Sequence, residues 1–302
     1  MRILISRLSS LGDVVCSLPV AVAAKKQWPE CEITWAVSPA FAPIVRSSPS
    51  VDKVIEVKPG FSPATWPKFN EPFDLALDLQ GLLKSAIVVA KAKAKEKLGY
   101  HWQREGASLF SSRVLPDPTS FHIVDQYVDV IRAAGAEVSR AEWDLKPDEQ
   151  ALTTVQDLIR YPLYVVMNPG AAWVTKRWPP EHFSALIDRA PIPVVLIGTK
   201  QEAEANESIA AACKDKPLNI AGKTNLSELI AVIANCAAHV GGDTGSTHLA
   251  AALGKPAVGL YSLTNPRRSC PYGQITHCLY NPSGLQHITV SQVHRVLEGV
   301  LS

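Results

Sequence analysis

Residues 241–261 read "GGDTGSTHLAAALGKPAVGLY", and Asp243, Thr244, Gly245, Ser246 and His248 crowd polar chemistry into the mouth of an apolar run. Three readings are open: a capped core helix, a metal site, or a cradle for an anion. A helix entered at Thr244 or Gly245 presents free N–H groups and a partial positive charge, and these attract phosphates. Gly245 lets a ligand approach the backbone, Thr244 and Ser246 add hydroxyl donors, and His248 lies one turn into the helix. The metal reading is weaker, because one Asp and one His come without a second carboxylate or an HxxxH partner. The cap reading stands beside the anion reading, since "HLAAALG" is apolar and Gly254 suits a C-cap.

Two other stretches carry chemistry at similar places. In "SRLSSLGDVVCSLP" (6–19), Gly12 allows a tight bend and Asp13 stands where a helix begins. Asp13 reads as an N-cap or as a general base in a cleft. The loop lacks the glycines of GxGxxG, which argues against a nicotinamide-dependent dehydrogenase. In "NPGAAWVTKRWPPEHF" (168–183), Thr175, Lys176 and Arg177 fall on a strand-end loop. Lys176 could steady a diphosphate leaving group electrostatically, or be a surface lysine. The combination argues for the first: an Asp in one half, a phosphate-type turn and a Lys in the other.

The elements that must position these residues alternate along the chain. "RILIS" (2–6), "EITWAVS" (32–38), "KVIEV" (53–57) and "FDLALDLQ" (73–80) read as strands. Between them, "DVVCSLPVAVAAKKQWP" reads as one helix ended by Pro29, and "AFAPIVRSSP" as another. The rhythm restarts with strands at "LYVVMNPG" (163–170), "PVVLIG" (193–198), "LNIAG", "AHVGGD" and "PAVGLYS". Helices are expected over 179–190, "KQEAEANESIAAACKD", "NLSELIAVIANC" with its capping-box-like entry, and "TGSTHLAAALG". The polar stretch 139–154, with Pro147, reads as a linker. The expectation is an α/β chain of two Rossmann-like doubly wound domains, 1–150 and 151–302, facing across a ligand cleft.

Composition narrows the class. At 302 residues, 47% hydrophobic and 19% charged, the chain is globular, with no apolar run long enough to span a bilayer. The start, "MRILISRLSS", is a poor secretory signal and a good strand. Six scattered cysteines without a CxxC pair suggest reduced thiols, so a cytoplasmic location is expected. Between Lys84 and Arg113, seven basic residues face Glu96 and Glu105, a net +5. "KAKAKEK" has strong helix propensity and reads as a solvated helix face, or the segment is a patch for a membrane surface, an acidic glycolipid or a nucleic acid. Nucleic acid ranks last, because aromatic interleaving is missing.

Taken together, "SSLGDVV" (9–15), "LDLQGLLKSA" (77–86), "TKRWP" (175–179), "DTGSTHLAAALGKPAVGLY" (243–261) and "TNPRRSCPYG" (264–273) resemble glycosyltransferase family 9. These are the bacterial ADP-heptose:lipopolysaccharide heptosyltransferases. "LGYHWQREGASLF" (98–110) and "HIVDQYVDVIRAAG" (122–135) most resemble heptosyltransferase I, which adds the first heptose to Kdo of the inner core. The resemblance implies a glycosyltransferase-B fold, an inverting reaction, ADP-L-glycero-D-manno-heptose as donor substrate, no metal and no cofactor. It implies an anionic Kdo-lipid A acceptor, hence peripheral contact with the inner membrane, and no nucleic acid partner.

Carried over by position, Asp13 is the general base and Lys176 steadies the diphosphate, with Thr175 beside it on the donor side. Thr244 and Gly245 form the phosphate turn with His248 adjacent, and Asp243 holds sugar hydroxyls and organises Lys176. Glu202 falls at the ribose and Thr224 near the adenine, while Lys84 and Arg104 face the acceptor. The chain departs from the family's usual Gly-x-Thr-Asp-Pro with "SLTNP", placing Ser262 and Asn265, and has Thr224 where Met is more frequent. The alternatives are a family 9 transferase with another donor or acceptor, a non-catalytic sugar-nucleotide-binding module, or a nucleotide-sugar epimerase of similar shape.

Overall fold

Short β-branched runs separated by amphipathic segments can bury themselves only as parallel strands covered by helices. A computed structural model of the protein, describing all residues except Phe61, Pro63, Ala64 and Ala172, shows this arrangement twice. The chain divides into two units, Met1–Lys146 and Pro147–Ser302.

In the first unit the strands are β1 (Arg2–Ser6), β2 (Glu32–Val37), β3 (Lys53–Glu56), β4 (Phe73–Asp78), β5 (Ala94–Gly99) and β6 (Ser112–Arg113). They form one parallel sheet in the order β3-β2-β1-β4-β5-β6. Its helices are α1 (Leu11–Ser17), α2 (Pro19–Gln27), α3 (Ala42–Arg46), α4 (Leu83–Lys91) and α5 (Ile123–Ala133). Leu4, Ala36 and Ala76 of the sheet pack with Val88 and Val89 of α4.

The second unit has α6 (Glu149–Leu158), then β7 (Val165–Asn168), α7 (Pro180–Ile187), β8 (Val194–Leu196), α8 (Ala203–Ala212) and β9 (Leu218–Asn219). It continues with α9 (Leu226–Ala234), β10 (Ala238–Gly242), α10 (Gly245–Ala252), β11 (Ala257–Tyr261), α11 (Pro266–Ser269), β12 (Cys278–Tyr280) and α12 (Val290–Leu301). The sheet order β12-β11-β10-β7-β8-β9 is the same winding as in the first unit. In both, the strand order reverses between two central neighbours, β1 and β4 or β7 and β10, and loops at such a switch point are where open α/β sheets bind ligands.

Three expectations are corrected. The single helix through residue 29 is two, because Pro19 has no N–H to continue the ladder, and Leu18 ends α1 and precedes α2. "KAKAKEK" is not a helix face: Lys91 ends α4, and 94–99 form β5, paired along β4. Tertiary pairing overrides propensity there, and Lys95 bonds Asp74 near the start of β4 while Lys84 lies beyond its end. The basic residues are therefore spread over α4, the turn after it, β5, the following loop and β6. The end of the supposed linker is α6, whose Asp148 side chain accepts from the Ala151 N–H and whose Ala151 and Val155 are buried. All six cysteines are reduced; five are buried and Cys278 is half-buried.

Candidate active site

The switch point of the first unit is built on Arg7, which follows β1 directly. Its guanidinium is buried and donates to the Leu79 carbonyl at 2.5 Å, at the end of β4. It also lies 2.7 Å from Asp13 Oδ1 and packs over the Tyr127 ring of α5 at 5.1 Å. The Tyr127 hydroxyl is 3.4 Å from the same carboxylate oxygen. Burial works against the charge on Arg7, but the Tyr127 ring under it and the Asp13 carboxylate beside it outweigh burial and raise its pKa. Burial likewise pushes the Tyr127 phenol well above its ordinary value, keeping it neutral.

Asp13 is not the N-cap of α1. Ser10 is, and Asp13 stands three residues on, its Oδ2 accepting from the Ser10 N–H at 3.3 Å and hydroxyl at 2.7 Å. Capping and ion pairing thus fix one carboxylate while 41% of its side-chain surface stays exposed. On the same loop, the Ser9 hydroxyl accepts from the Lys84 ammonium at 3.1 Å. Gln80 braces the same loop by accepting from the Leu8 N–H at 2.9 Å.

Arg104 sits on the loop after β5, exposed, with its guanidinium 5.5 Å from the Trp102 ring centre. That loop is clasped to the start of α4: the Arg104 N–H donates to Gly81 and the Leu83 N–H to the Glu105 carboxylate. Gly81 has φ +69°, and a Cβ there would lie 2.4 Å from the Trp102 carbonyl oxygen. Only glycine fits this crossing.

The second unit gathers its polar residues where β7 and β10 diverge. The Lys176 ammonium is 2.7 Å from Asp243 Oδ2, the Thr264 hydroxyl donates to the same oxygen at 2.8 Å, and His248 Nε2 lies 3.6 Å from Oδ1. Burial alone would favour protonated Asp243, yet the bonds from His248 and Lys176 prevail and hold its pKa far below the ordinary carboxylate range. Thr244 is the N-cap of α10 and Gly245 its first residue, so the free N–H groups open beside this carboxylate–ammonium pair. The Lys176 turn is anchored by Trp178, which is buried against Phe183 and donates to the Ile288 carbonyl at 2.9 Å. Burying such a side chain stabilises by roughly 2–3 kcal/mol, enough to fix a short turn.

The remaining predicted residues lie on neighbouring loops. Thr175 is exposed in the turn 174–176. Glu202 accepts from the Thr199 N–H at 2.7 Å and presses on Gly170, where a Cβ would sit 2.0 Å from its Oε1. A cavity of about 290 Å³ opens beside it, lined by Gly170, Arg177, Trp178, Glu202, Asn206 and Ile209 among others. Thr224 is half-buried on the loop after β9, which the Gly222 N–H ties to the Gly198 carbonyl. No hydrogen bond among the described residues joins Thr224 to the Asp243 cluster. Among the described residues, no three His, Cys, Asp or Glu side chains are grouped to hold a metal ion.

Sequence reasoning missed Arg7, Tyr127, Asn168, whose amide donates to the Ser246 hydroxyl at 2.9 Å, and the role of Thr264. Arg7 and Asn168 each stand just past or at the end of a central strand, which is a signal that could have been read; Tyr127 is remote in sequence and carried none. The "SLTNP" departure has a plain local account: Asn265 caps α11, its side chain accepting from the Arg267 N–H at 3.0 Å, a task Asn and Asp perform equally.

The model of glycosyltransferase family 9 (heptosyltransferase) matches residues 68–296. The chain is 30% identical to the lipopolysaccharide core heptosyltransferase OpsX of Haemophilus influenzae, over 90% of this chain and 82% of that protein. It is 29% identical to lipopolysaccharide heptosyltransferase 1 of Escherichia coli strain RS218, over 99% and 97%. The solved E. coli heptosyltransferase WaaC with ADP superposes at a TM-score of 0.80 with 26% identity, covering 99% of this chain and 100% of that one.

Proposed function

Since the chain belongs to glycosyltransferase family 9, we propose that it moves heptose from ADP-L-glycero-D-manno-heptose to Kdo of the lipopolysaccharide inner core. The observation that carries this reading is the Lys176–Asp243 pair, held at 2.7 Å beside the Thr244 turn. It is a cation fixed in advance next to free helix N–H groups, as departure of a diphosphate requires.

The reaction is a single displacement with inversion. Asp13 takes the proton of the acceptor hydroxyl, and that oxygen bonds to the anomeric carbon as its bond to the diphosphate breaks. The electron pair leaves with ADP, whose growing charge is met by Lys176 and the N-terminus of α10. Asp243 keeps Lys176 in place and offers its other oxygen, with His248, to sugar hydroxyls. Glu202 takes the ribose and Thr224 the adenine side, with Thr175 beside Lys176. Lys176 supplies the charge a metal would otherwise bring, so the reaction is metal-independent and needs no cofactor.

Lys84 and Arg104 meet the anionic acceptor. Peripheral contact with a membrane is supported by Trp102, Leu109, Leu115 and Phe121, exposed by 45%, 82%, 74% and 61% in the segments on either side of β6, which also hold Arg104, with Arg113 in β6 itself. Among the described residues no helix is long and apolar enough to cross a membrane.

The test is ADP release with ADP-heptose and Kdo-terminated lipid A, unaffected by a chelator, with the product anomer identified by NMR. Asp13→Ala should abolish transfer while ADP binding survives. Turnover in that variant, a retained anomer, or loss of activity on chelation would each remove the corresponding part of the reading.

A further inference from the structure

His239 lies in β10 with 0% exposure, behind the turn read above as the phosphate site. Its ring reaches along the strand past Gly241, where a Cβ would lie 2.9 Å from Cε1. Only the missing side chain of Gly241 leaves that path open. His239 Nε2 is 3.0 Å from the Ser246 hydroxyl, and His239 Nδ1 has no hydrogen-bond partner among the described residues. Asn168, paired with Gly241 across the sheet, donates to the same hydroxyl at 2.9 Å. The Ser246 hydroxyl in turn lies 3.1 Å from that of Thr244.

The proton positions follow from these contacts. A proton on Nδ1 would leave a buried N–H unpaired, which costs more than an unpaired lone pair, so the proton sits on Nε2. Burial supports a neutral ring, pushing the His239 pKa down to about 3. Ser246 Oγ then accepts from both Asn168 and His239, and its own hydrogen points to Thr244. With its lone pairs filled, Ser246 cannot accept from Thr244. Thr247 donates to the Gly242 carbonyl at 2.7 Å, so its hydroxyl offers Thr244 no hydrogen. The Thr244 hydrogen is left for its neighbour Thr247 or for an incoming anion.

We propose that His239, through Ser246, is a positioning residue that sets the Thr244 hydroxyl to donate to the diphosphate of the donor. The inference rests on the ADP-sugar reading above. Removing the His239 donor opens a lone pair on Ser246, into which the Thr244 hydroxyl can turn, presenting an acceptor to an anion.

The experiment compares ADP and adenosine binding by calorimetry for the wild-type protein, His239→Phe, His239→Gln, Ser246→Ala and the double variant H239F/S246A. Losing one such oriented bond should weaken ADP binding about three- to tenfold in His239→Phe, while adenosine binding is unchanged. His239→Gln, whose amide can still donate, should recover ADP affinity. In the Ser246→Ala background, His239→Phe should cause no additional loss. Unchanged ADP affinity in both single variants, or equal loss of ADP and adenosine, would overturn the positioning role. If His239→Phe does not fold, Ser246→Ala alone decides, by losing ADP affinity selectively or not. A wild-type protein that binds no ADP overturns the donor reading itself and this inference with it.

Discussion

Two ionisable residues of the second unit, half-buried Asp243 and buried His239, each make the protein less stable in acid, but in different pH windows. Asp243 has a depressed pKa, so its contribution to stability is present above the unfolded value near 4 and is lost as pH falls toward the folded one. Asp243→Asn should cost about 3 kcal/mol at neutral pH by leaving Lys176 unpaired, and the gap to wild type in urea melts should narrow progressively as pH falls below about 4. A gap independent of pH would mean the pair does not carry the stability. His239 is neutral in the fold down to about pH 3 but binds a proton near 6.5 when unfolded. Between those values the unfolded chain holds more protons, so stability falls as pH drops, by up to about 1.4 kcal/mol per unit. His239→Phe should lose that slope between pH 6.5 and 4.5. At the chemistry itself, Lys176→Ala should lower kcat by about a hundredfold or more, as loss of one fixed charge at a leaving group does.

Elements deliver these residues, and Gly81 shows how tightly. Gly81→Ala, strained by φ +69° and by the Trp102 carbonyl, should loosen the clasp between the α4 start and the loop after β5. The expected outcome is a raised KM for the acceptor with ADP affinity unchanged, measured in one steady-state series; equal effects on both ligands would place the defect elsewhere. The same level shows what could be read from sequence. Central strands such as Arg2–Ser6 and Ala238–Gly242 were legible because they are short, apolar and followed by glycine- or serine-rich turns. β5 was not, since "AKEKLG" gains its strand only by pairing with β4. α6 was hidden because it buries one narrow face, Ala151 and Val155, under a polar sequence. Within the site, Lys176, Asp243 and Thr244 announced themselves by clustering near strand ends. Arg7 and Tyr127 meet Asp13 only through the fold, at 2.7 Å and 3.4 Å.

For the whole molecule, the repeated sheet order gives each unit its own core and its own switch-point loops. Residues 147–302 expressed alone should therefore bind ADP, and 1–146 should not; isothermal calorimetry on the two pieces checks this. Leu109→Asp with Phe121→Asp should weaken co-sedimentation with anionic vesicles while leaving ADP binding intact, and unchanged sedimentation would remove these two side chains from membrane contact. The cysteines open a further route. Five are buried out of a reagent's reach. Burial raises the thiol of Cys236 to about 12 and lifts those of Cys31 and Cys213, while a hydrogen bond with Cys270 and burial raise that of half-buried Cys278, so these four are also poor nucleophiles at neutral pH. A maleimide dye should then react first with thiols introduced at exposed Glu30 and Arg295, one in each unit. The protein is thus ready for fluorescence energy transfer between its halves, in which ligand-driven motion could be timed without first replacing its native cysteines.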